Sequence, residues 1–67
     1  MDIIINGESI VIPKEVKTIK QLAEHMELSS PVIIAEHNGT ILHQDDHSVT
    51  EVSSGDKIEF VQFVGGG

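Results

Sequence analysis

An Asn-Gly pair between two short apolar runs constrains the fold of this chain more than any other feature. Residues 3–5 and residues 10–12 are all β-branched, and Asn6 and Gly7 lie between the two runs. Both residues of such a pair tolerate positive φ, so Asn-Gly is the strongest two-residue signal for a β-hairpin. Pro13 ends the second strand, where its missing N–H does least harm. The chain is therefore predicted to open with a hairpin.

A single helical pattern follows the hairpin. Thr18 is a good N-cap, and Gln21 lies three residues later, which is the spacing of a capping box. From residue 19 onward the apolar side chains recur at helical spacing and form one narrow stripe: Ile19, Leu22, Ala23 and Met26. The Ser-Ser-Pro segment at residues 29–31 is predicted to end the helix.

Three further segments have the character of strands, namely residues 31–37, 41–42 and 57–64. The order of two strands, one helix and two or three strands predicts the α+β class, in which helix and strands share one core. A mixed sheet with one helix packed on one face is a β-grasp, or ubiquitin-like roll. The first and last strands are expected to be central and parallel, because their apolar runs are nearly unbroken.

The last strand changes its alternation close to the C-terminus. Ile58 and Phe60 fall on one face, whereas Val61 and Phe63 fall on the other. Only one sheet face can pack on one helix, so Val61 and Phe63 point outward if Ile58 and Phe60 are core. Ile4 joins them, and we predict that these three residues form a partner-docking patch. The alternative is a β-bulge that restores the phase and buries Phe63.

Composition and charge exclude several functions. The 67 residues include 4 Lys and Arg against 11 Asp and Glu, which gives a net charge of −7. This balance disfavours nucleic acid as a partner and equally disfavours an anionic membrane surface. The absence of cysteine, of a signal peptide and of a membrane-spanning stretch favours a cytoplasmic protein. So short a chain has little room for a catalytic constellation, and we predict no catalytic residue and no bound cofactor.

Four histidines are the remaining side chains that could carry chemistry. His43 and His47 share a polar loop with Asp45 and Asp46. A metal site needs three or four convergent ligands with a supporting outer shell. A loop without cysteine offers these poorly, so we predict no metal site here and a solvated acidic loop instead.

The chain ends in three glycines, Gly65, Gly66 and Gly67, which add nothing to a core. We therefore divide it into a β-grasp domain, residues 1–64, and a flexible tail, residues 65–67. Val64 to Gly67 reaches at most about 13–14 Å, enough to thread a narrow channel in another protein. Activation with ATP would make the terminal carboxylate an acyl-adenylate, which a sulfur donor could convert to a thiocarboxylate. The sequence thus predicts a carrier of sulfur that enzymes process.

Over essentially all its residues the chain resembles the ThiS-like sulfur carriers of thiamine thiazole synthesis. The resemblance rests on five segments: "IIINGE" at 3–8, "TIKQLAEHM" at 18–26, "HNG" at 37–39, "SSGDKIEFV" at 53–61 and "FVGGG" at 63–67. It implies a β-grasp fold, and it implies that Gly67 bears the activated carboxylate of the terminal Gly66-Gly67 pair. Gly65 matches the glycine often found before that pair.

The resemblance also implies three partners. A ThiF-type adenylyltransferase would consume ATP to activate Gly67, and a cysteine-desulfurase relay would supply sulfur. A ThiG-type thiazole synthase would then receive it. The chain departs from many relatives at His43 and Gln44, where a Pro-Arg pair is common, and at His47, which replaces an aromatic residue. These departures put partner contacts around residues 43–47 in doubt but leave the tail chemistry intact.

Other functions remain open on the sequence. The small subunit of molybdopterin synthase has the same fold and a terminal diglycine, but it is usually longer and commonly has a proline-bearing segment before the glycines. Carriers for cysteine or methionine synthesis and for tRNA thiolation are hardly separated by sequence. A plain protein-interaction module with an idle tail belongs to a different class, and only a carrier would gain AMP and then sulfur at Gly67.

Overall fold

A computed structural model of the chain describes residues 1–30 and 32–63. These residues form five strands and one α-helix: β1 (Asp2–Ile5), β2 (Glu8–Val11), α1 (Ile19–His25), β3 (Val32–His37), β4 (Thr40–Ile41) and β5 (Lys57–Phe63). A short 3₁₀ helix, η1 (Gln44–Asp46), lies between β4 and β5. The strands form one sheet in the order β2-β1-β5-β3-β4.

The sheet is mixed, as predicted. β1 and β5 are neighbours and run parallel, whereas the pairs β1–β2, β3–β5 and β3–β4 are antiparallel. The prediction that the first and last strands are adjacent and parallel is confirmed, and so is the α+β β-grasp fold. The short fourth strand comprises Thr40–Ile41, one residue earlier than its apolar residues indicated.

One face of the sheet packs on α1, and the core lies between them. The fully buried large side chains are Ile3, Ile12, Ile19, Leu22 and Ile58. Each contributes about 1.5–3 kcal/mol when it leaves water. Ile3 and Ile58 lie on the central strands β1 and β5, and Ile12 directly follows β2. Ile19 and Leu22 belong to the predicted stripe of α1, in which only Met26 stays partly exposed.

The predicted capping box begins α1. The Gln21 N–H donates to Thr18 Oγ1 at 3.2 Å, and Gln21 Oε1 accepts from the Thr18 N–H at 3.2 Å. Gln21 Oε1 also accepts from the Lys17 N–H at 2.7 Å. These bonds satisfy backbone donors that have no partner in the first turn of a helix. The spacing of Thr18 and Gln21 in the sequence was therefore sufficient to predict where α1 begins.

The other end of α1 comes earlier than the Ser-Ser-Pro segment predicts. The helix ends at His25, because the Glu27 N–H donates to the Glu24 carbonyl and the Leu28 N–H donates to the Ala23 carbonyl. Both bonds are 3.0 Å long, and together they are a Schellman motif. Glu27 has φ of 61°, a left-handed conformation that this motif usually assigns to glycine. The backbone thus stops the helix before the serines are reached.

Glu27→Gly is therefore expected to stabilise the domain by about 0.5–1 kcal/mol, because glycine removes the steric cost of positive φ. Urea unfolding of the two proteins measures the difference. Glu24→Gly is the matched control inside α1, and it should instead destabilise by about 1 kcal/mol. A loss of stability in Glu27→Gly would mean that the glutamate side chain matters more than its backbone conformation.

Asn6 has a second role beyond the hairpin turn. Its φ of 51° and that of Gly7, 84°, suit the predicted two-residue turn. In addition, the Phe60 N–H donates to Asn6 Oδ1 at 2.8 Å, and Asn6 Nδ2 donates to the Phe60 carbonyl at 3.3 Å. The side-chain amide thus binds β5 as a strand backbone would, and it extends the contact between β1 and β5 beyond Ile5.

Candidate functional site: the outer sheet face and the C-terminal end of β5

The sheet face opposite α1 carries an apolar patch. Val61 and Phe63 are 50% and 52% exposed, and Ile4 is 36% exposed. Val32 and Ile34 of β3 lie directly opposite Phe63 and Val61. Ile4 shares the outer face but lies opposite Lys57, at the other end of β5, so it is separated from the other four residues. We call Val32, Ile34, Val61 and Phe63 the sheet patch. Val32 and Ile34 were not among the residues predicted from the sequence, because their place beside Val61 and Phe63 depends on the register of β3 on β5.

The register also decides between the two predictions for Phe63. The pairing of β3 with β5 runs without interruption from His37 opposite Ile58 to Val32 opposite Phe63. A β-bulge would place two residues opposite one. The alternation along β5 is therefore preserved, and Phe63 lies on the outer face. The bulge alternative is wrong, whereas the docking role of the patch stays a prediction.

The patch lies at the end of β5 that leads to the predicted tail. Phe63 is the last described residue of β5. Val64 and the predicted tail, Gly65 to Gly67, lie outside the described residues. The predicted modified group, the Gly67 carboxylate, follows Phe63 by only four residues (67 − 63). A protein that covers the patch therefore also lies close to the chain terminus.

The far end of the outer face is charged. Glu36 and Glu59 lie directly opposite each other on β3 and β5. Lys57 lies opposite Ile4 on the other side of β5. Two like charges in a cross-strand pair are unfavourable by about 0.2–1 kcal/mol. The outer face thus changes from acidic to apolar toward the C-terminus.

The loop around the histidines is more ordered than predicted. Gln44–Asp46 form η1, and His47 is only 6% exposed. The His47 carbonyl accepts from the Lys20 N–H at 2.8 Å, so the loop packs on the start of α1. Within the described residues, His47 Nε2 has no hydrogen-bond partner. The prediction of a solvated loop is wrong for His47, although His43 and Asp45 are exposed. Residues 1–30 and 32–63 contain no group of three or more potential metal ligands.

A polar cluster joins β3 to the beginning of β5, at the end of β5 away from the tail. Asp56 Oδ2 accepts from His37 Nε2 at 2.9 Å and from the Ser53 N–H at 2.8 Å, and Oδ1 accepts from Asn38 Nδ2 at 3.2 Å. Asn38 Oδ1 accepts from the Lys57 N–H at 2.8 Å. Burial acts to raise the pKa of Asp56, but the hydrogen bonds from His37, Ser53 and Asn38 and the charge on His37 hold the pKa below its ordinary value of 3.8.

The Asp56 cluster predicts a defined dependence of stability on pH. Because the folded-state pKa of Asp56 is lowered, its stabilisation is present above the unfolded pKa and is lost as the pH falls through the folded pKa. Asp56→Asn is expected to reduce the free energy of unfolding near pH 7 by about 1–2 kcal/mol and to weaken the acid-induced loss below about pH 4. Urea unfolding across this range measures both effects, with the exposed Asp45→Asn as control. Equal stability at pH 7 would contradict a structural role for the cluster.

Comparisons with known proteins agree with this fold. The model of the ThiS family matches residues 3–67. The sulfur carrier protein ThiS of Bacillus subtilis (strain 168) is 33% identical over 63 residues, which cover 94% of this chain and 96% of the relative. The crystal structure of the thiamine biosynthesis protein ThiS from Geobacter metallireducens superposes with a TM-score of 0.83 at 26% identity and covers 100% of both chains.

A solution structure described as a thiamine biosynthesis protein from the same organism superposes with a TM-score of 0.81 at 26% identity, covering 100% of this chain and 88% of the other. The mixed sheet with α1 packed on one face defines a protein of the β-grasp class. Within that class, the chain belongs to the ThiS family. Among the described residues, no helix has the length and apolar character needed to cross a membrane.

Proposed function

We propose that this chain is a sulfur carrier for thiazole formation in thiamine biosynthesis. The observation that carries the proposal is the ThiS family match, which extends through residue 67 and so includes the terminal glycines. The Bacillus subtilis relative is a sulfur carrier protein, and the Geobacter metallireducens relative is a thiamine biosynthesis protein. Both names are consistent with a role in thiamine biosynthesis. The proposal places the carrier in the cytoplasm.

The chemistry centres on the α-carboxylate of Gly67. A carboxylate is a poor electrophile because its negative charge repels a nucleophile. A ThiF-type adenylyltransferase joins it to AMP with ATP, which removes the charge and supplies a leaving group. The outer sulfur of a persulfide from a cysteine-desulfurase relay then attacks the carbonyl carbon and displaces AMP, which gives an acyl disulfide. A second thiol cleaves the S–S bond and is itself oxidised to a disulfide, and the thiocarboxylate released in this way donates its sulfur to a ThiG-type thiazole synthase. The chain contains no cysteine, so this sulfur must come from its partners.

The sheet patch is the surface on which these enzymes dock. It is the apolar area that lies beside the start of the tail, and Val61 and Phe63 at its centre are about half exposed. Burial of such side chains supplies binding free energy, and aromatic residues at the centre of an interface contribute most. A basic group on the partner would relieve the repulsion between Glu36 and Glu59. The net charge of −7 steers the carrier toward such a partner.

Reconstitution distinguishes this function from its alternatives. The purified chain is incubated with ATP and, in separate reactions, with the thiamine-type and molybdopterin-type adenylyltransferases encoded by the same genome. Intact-mass spectrometry is expected to show an AMP adduct with the thiamine-type enzyme, replaced by a thiocarboxylate when a persulfide donor and a reducing thiol are added. An adduct formed only with the molybdopterin-type enzyme would assign the chain to molybdopterin synthase. No adduct with either enzyme would contradict the thiamine role and favour either a sulfur carrier of another pathway or a plain interaction module.

A further inference from the structure

A hydrogen bond holds the point at which the chain leaves the sheet. The Ser30 hydroxyl donates to the Phe63 carbonyl, which joins the segment after α1 to the last described residue of β5. The two residues are 33 positions apart in the sequence. Ser30 is partly exposed, so its hydroxyl is available to water as well. The hydrogen bond therefore forms in competition with water, and the group that it fixes in place is the Phe63 carbonyl.

The end of β5 is held mainly from one side. On the side of β1, the backbone pairs end at Ile58, and the Asn6 side chain extends the contact to Phe60. On the side of β3, the pairs continue to Phe63. Among the described residues, the Ser30 hydroxyl is the side-chain donor that binds the backbone at this last pair. Ser30 thus reinforces the hold on β5 at its last described residue.

We propose that Ser30 is a positioning residue for the activation of Gly67. By holding the Phe63 carbonyl, it sets the direction in which the chain leaves the sheet while the sheet patch is docked on the activating enzyme. The inference rests on the proposed carrier function. It assigns to Ser30 no contact with ATP or with the reacting carboxylate, since its effect is transmitted through Phe63.

Geometry explains why such a restraint matters. The four residues after Phe63 reach at most about 13–14 Å. When the channel of the enzyme holds them extended, a rotation of about 5° at Phe63 would displace their far end by about 1 Å. A misplacement of about 1 Å can lower a rate about a hundredfold when reacting atoms must meet. The effect should therefore appear in the rate of activation rather than in binding.

Steady-state release of pyrophosphate by the thiamine-type adenylyltransferase tests the proposal. Relative to the wild-type carrier, Ser30→Ala is expected to lower kcat about three- to tenfold, the value of one hydrogen bond, and to leave KM unchanged. Ser30→Thr keeps a hydroxyl and should restore kcat. Ser29→Ala is the matched control, because Ser29 is exposed and makes no side-chain hydrogen bond among the described residues.

The outcomes separate positioning from simple stabilisation. If Ser30→Ala is activated as fast as the wild type, the proposal is wrong. If instead its thermal midpoint falls and KM rises while kcat is kept, the bond only stabilises the fold, and the proposal is again overturned. A wild-type carrier that is not activated at all would contradict the carrier function itself, and this inference would fall with it.

Discussion

Removal of Gly67 is expected to abolish sulfur loading and to leave the stability of the domain unchanged. The truncated chain still ends in a carboxylate, but that group lies about 3.3–3.6 Å short of its former position. Reacting atoms must approach within about 3–3.5 Å, so a displacement of this size should reduce adenylation more than a hundredfold. The buried core lies between Ile3 and Phe60, well before the tail. Intact-mass spectrometry measures loading, and thermal unfolding measures stability.

A one-alanine extension after Gly67 is the matched control for length. It moves the carboxylate in the opposite direction and should also prevent loading. Failure of both variants would show that the carboxylate needs an exact position, whereas loading of the longer chain would show that the tail only needs a minimum length. Replacement of Gly67 by a bulkier residue should fail as well, because a side chain would not pass a channel that admits glycine. A truncated chain that still gains the thiocarboxylate mass would exclude Gly67 as the modified residue. A truncated chain that unfolds would show that the glycines are structural.

Phe63→Asp should weaken binding to the adenylyltransferase by about 2 kcal/mol or more, which is roughly a thirtyfold rise in Kd. The substitution removes the aromatic side chain of the sheet patch and places a charge in an apolar contact that excludes water. The fold should lose less than about 1 kcal/mol, because Phe63 is 52% exposed before binding. Isothermal titration with the enzyme and urea unfolding of the isolated chain give the two values.

Val49→Asp is the control for this substitution. Val49 is 70% exposed and lies after η1, outside the sheet patch. The same change of side chain there should leave Kd within about twofold of the wild-type value. If both variants bind alike, general charge repulsion and not the patch determines affinity. If Phe63→Asp binds normally while Gly67 is still loaded, the enzyme docks on another surface of the carrier.

Local signals were sufficient wherever a short segment determines its own conformation. The Asn6-Gly7 turn and the Thr18-Gln21 capping box were both predicted from residues a few positions apart. The same is true of the outward position of Phe63, which follows from the alternation of one strand. These features depend on backbone preferences and on spacing, and both can be read along the chain.

Other features depend on residues that are distant in the sequence. The amide of Asn6 pairs with the backbone of Phe60, and the Ser30 hydroxyl binds Phe63 across the fold. The place of Val32 and Ile34 in the sheet patch depends on the register of two strands. Such contacts follow from the tertiary arrangement, and no local pattern marks them.

Two predictions were wrong for physical reasons that a single sequence conceals. Glu27 ends α1 in a left-handed conformation although it is not glycine, because two backbone hydrogen bonds stabilise the turn. His47 is buried although its loop is polar, because its backbone carbonyl accepts a bond from Lys20 and draws the loop onto α1. In both cases backbone hydrogen bonds stabilise an arrangement that the side chain alone disfavours, namely positive φ for Glu27 and burial for His47.

The central claim is that the carboxylate of Gly67 carries sulfur in the cell. The most direct test is top-down mass spectrometry of the chain isolated from its own cells during growth without thiamine. We predict that a fraction of the chains has sulfur in place of one oxygen, that fragmentation locates the change to Gly67, and that deletion of the ThiF-type gene removes it. A C-terminus that remains an ordinary carboxylate under thiamine demand, or a modification elsewhere in the chain, would contradict the claim.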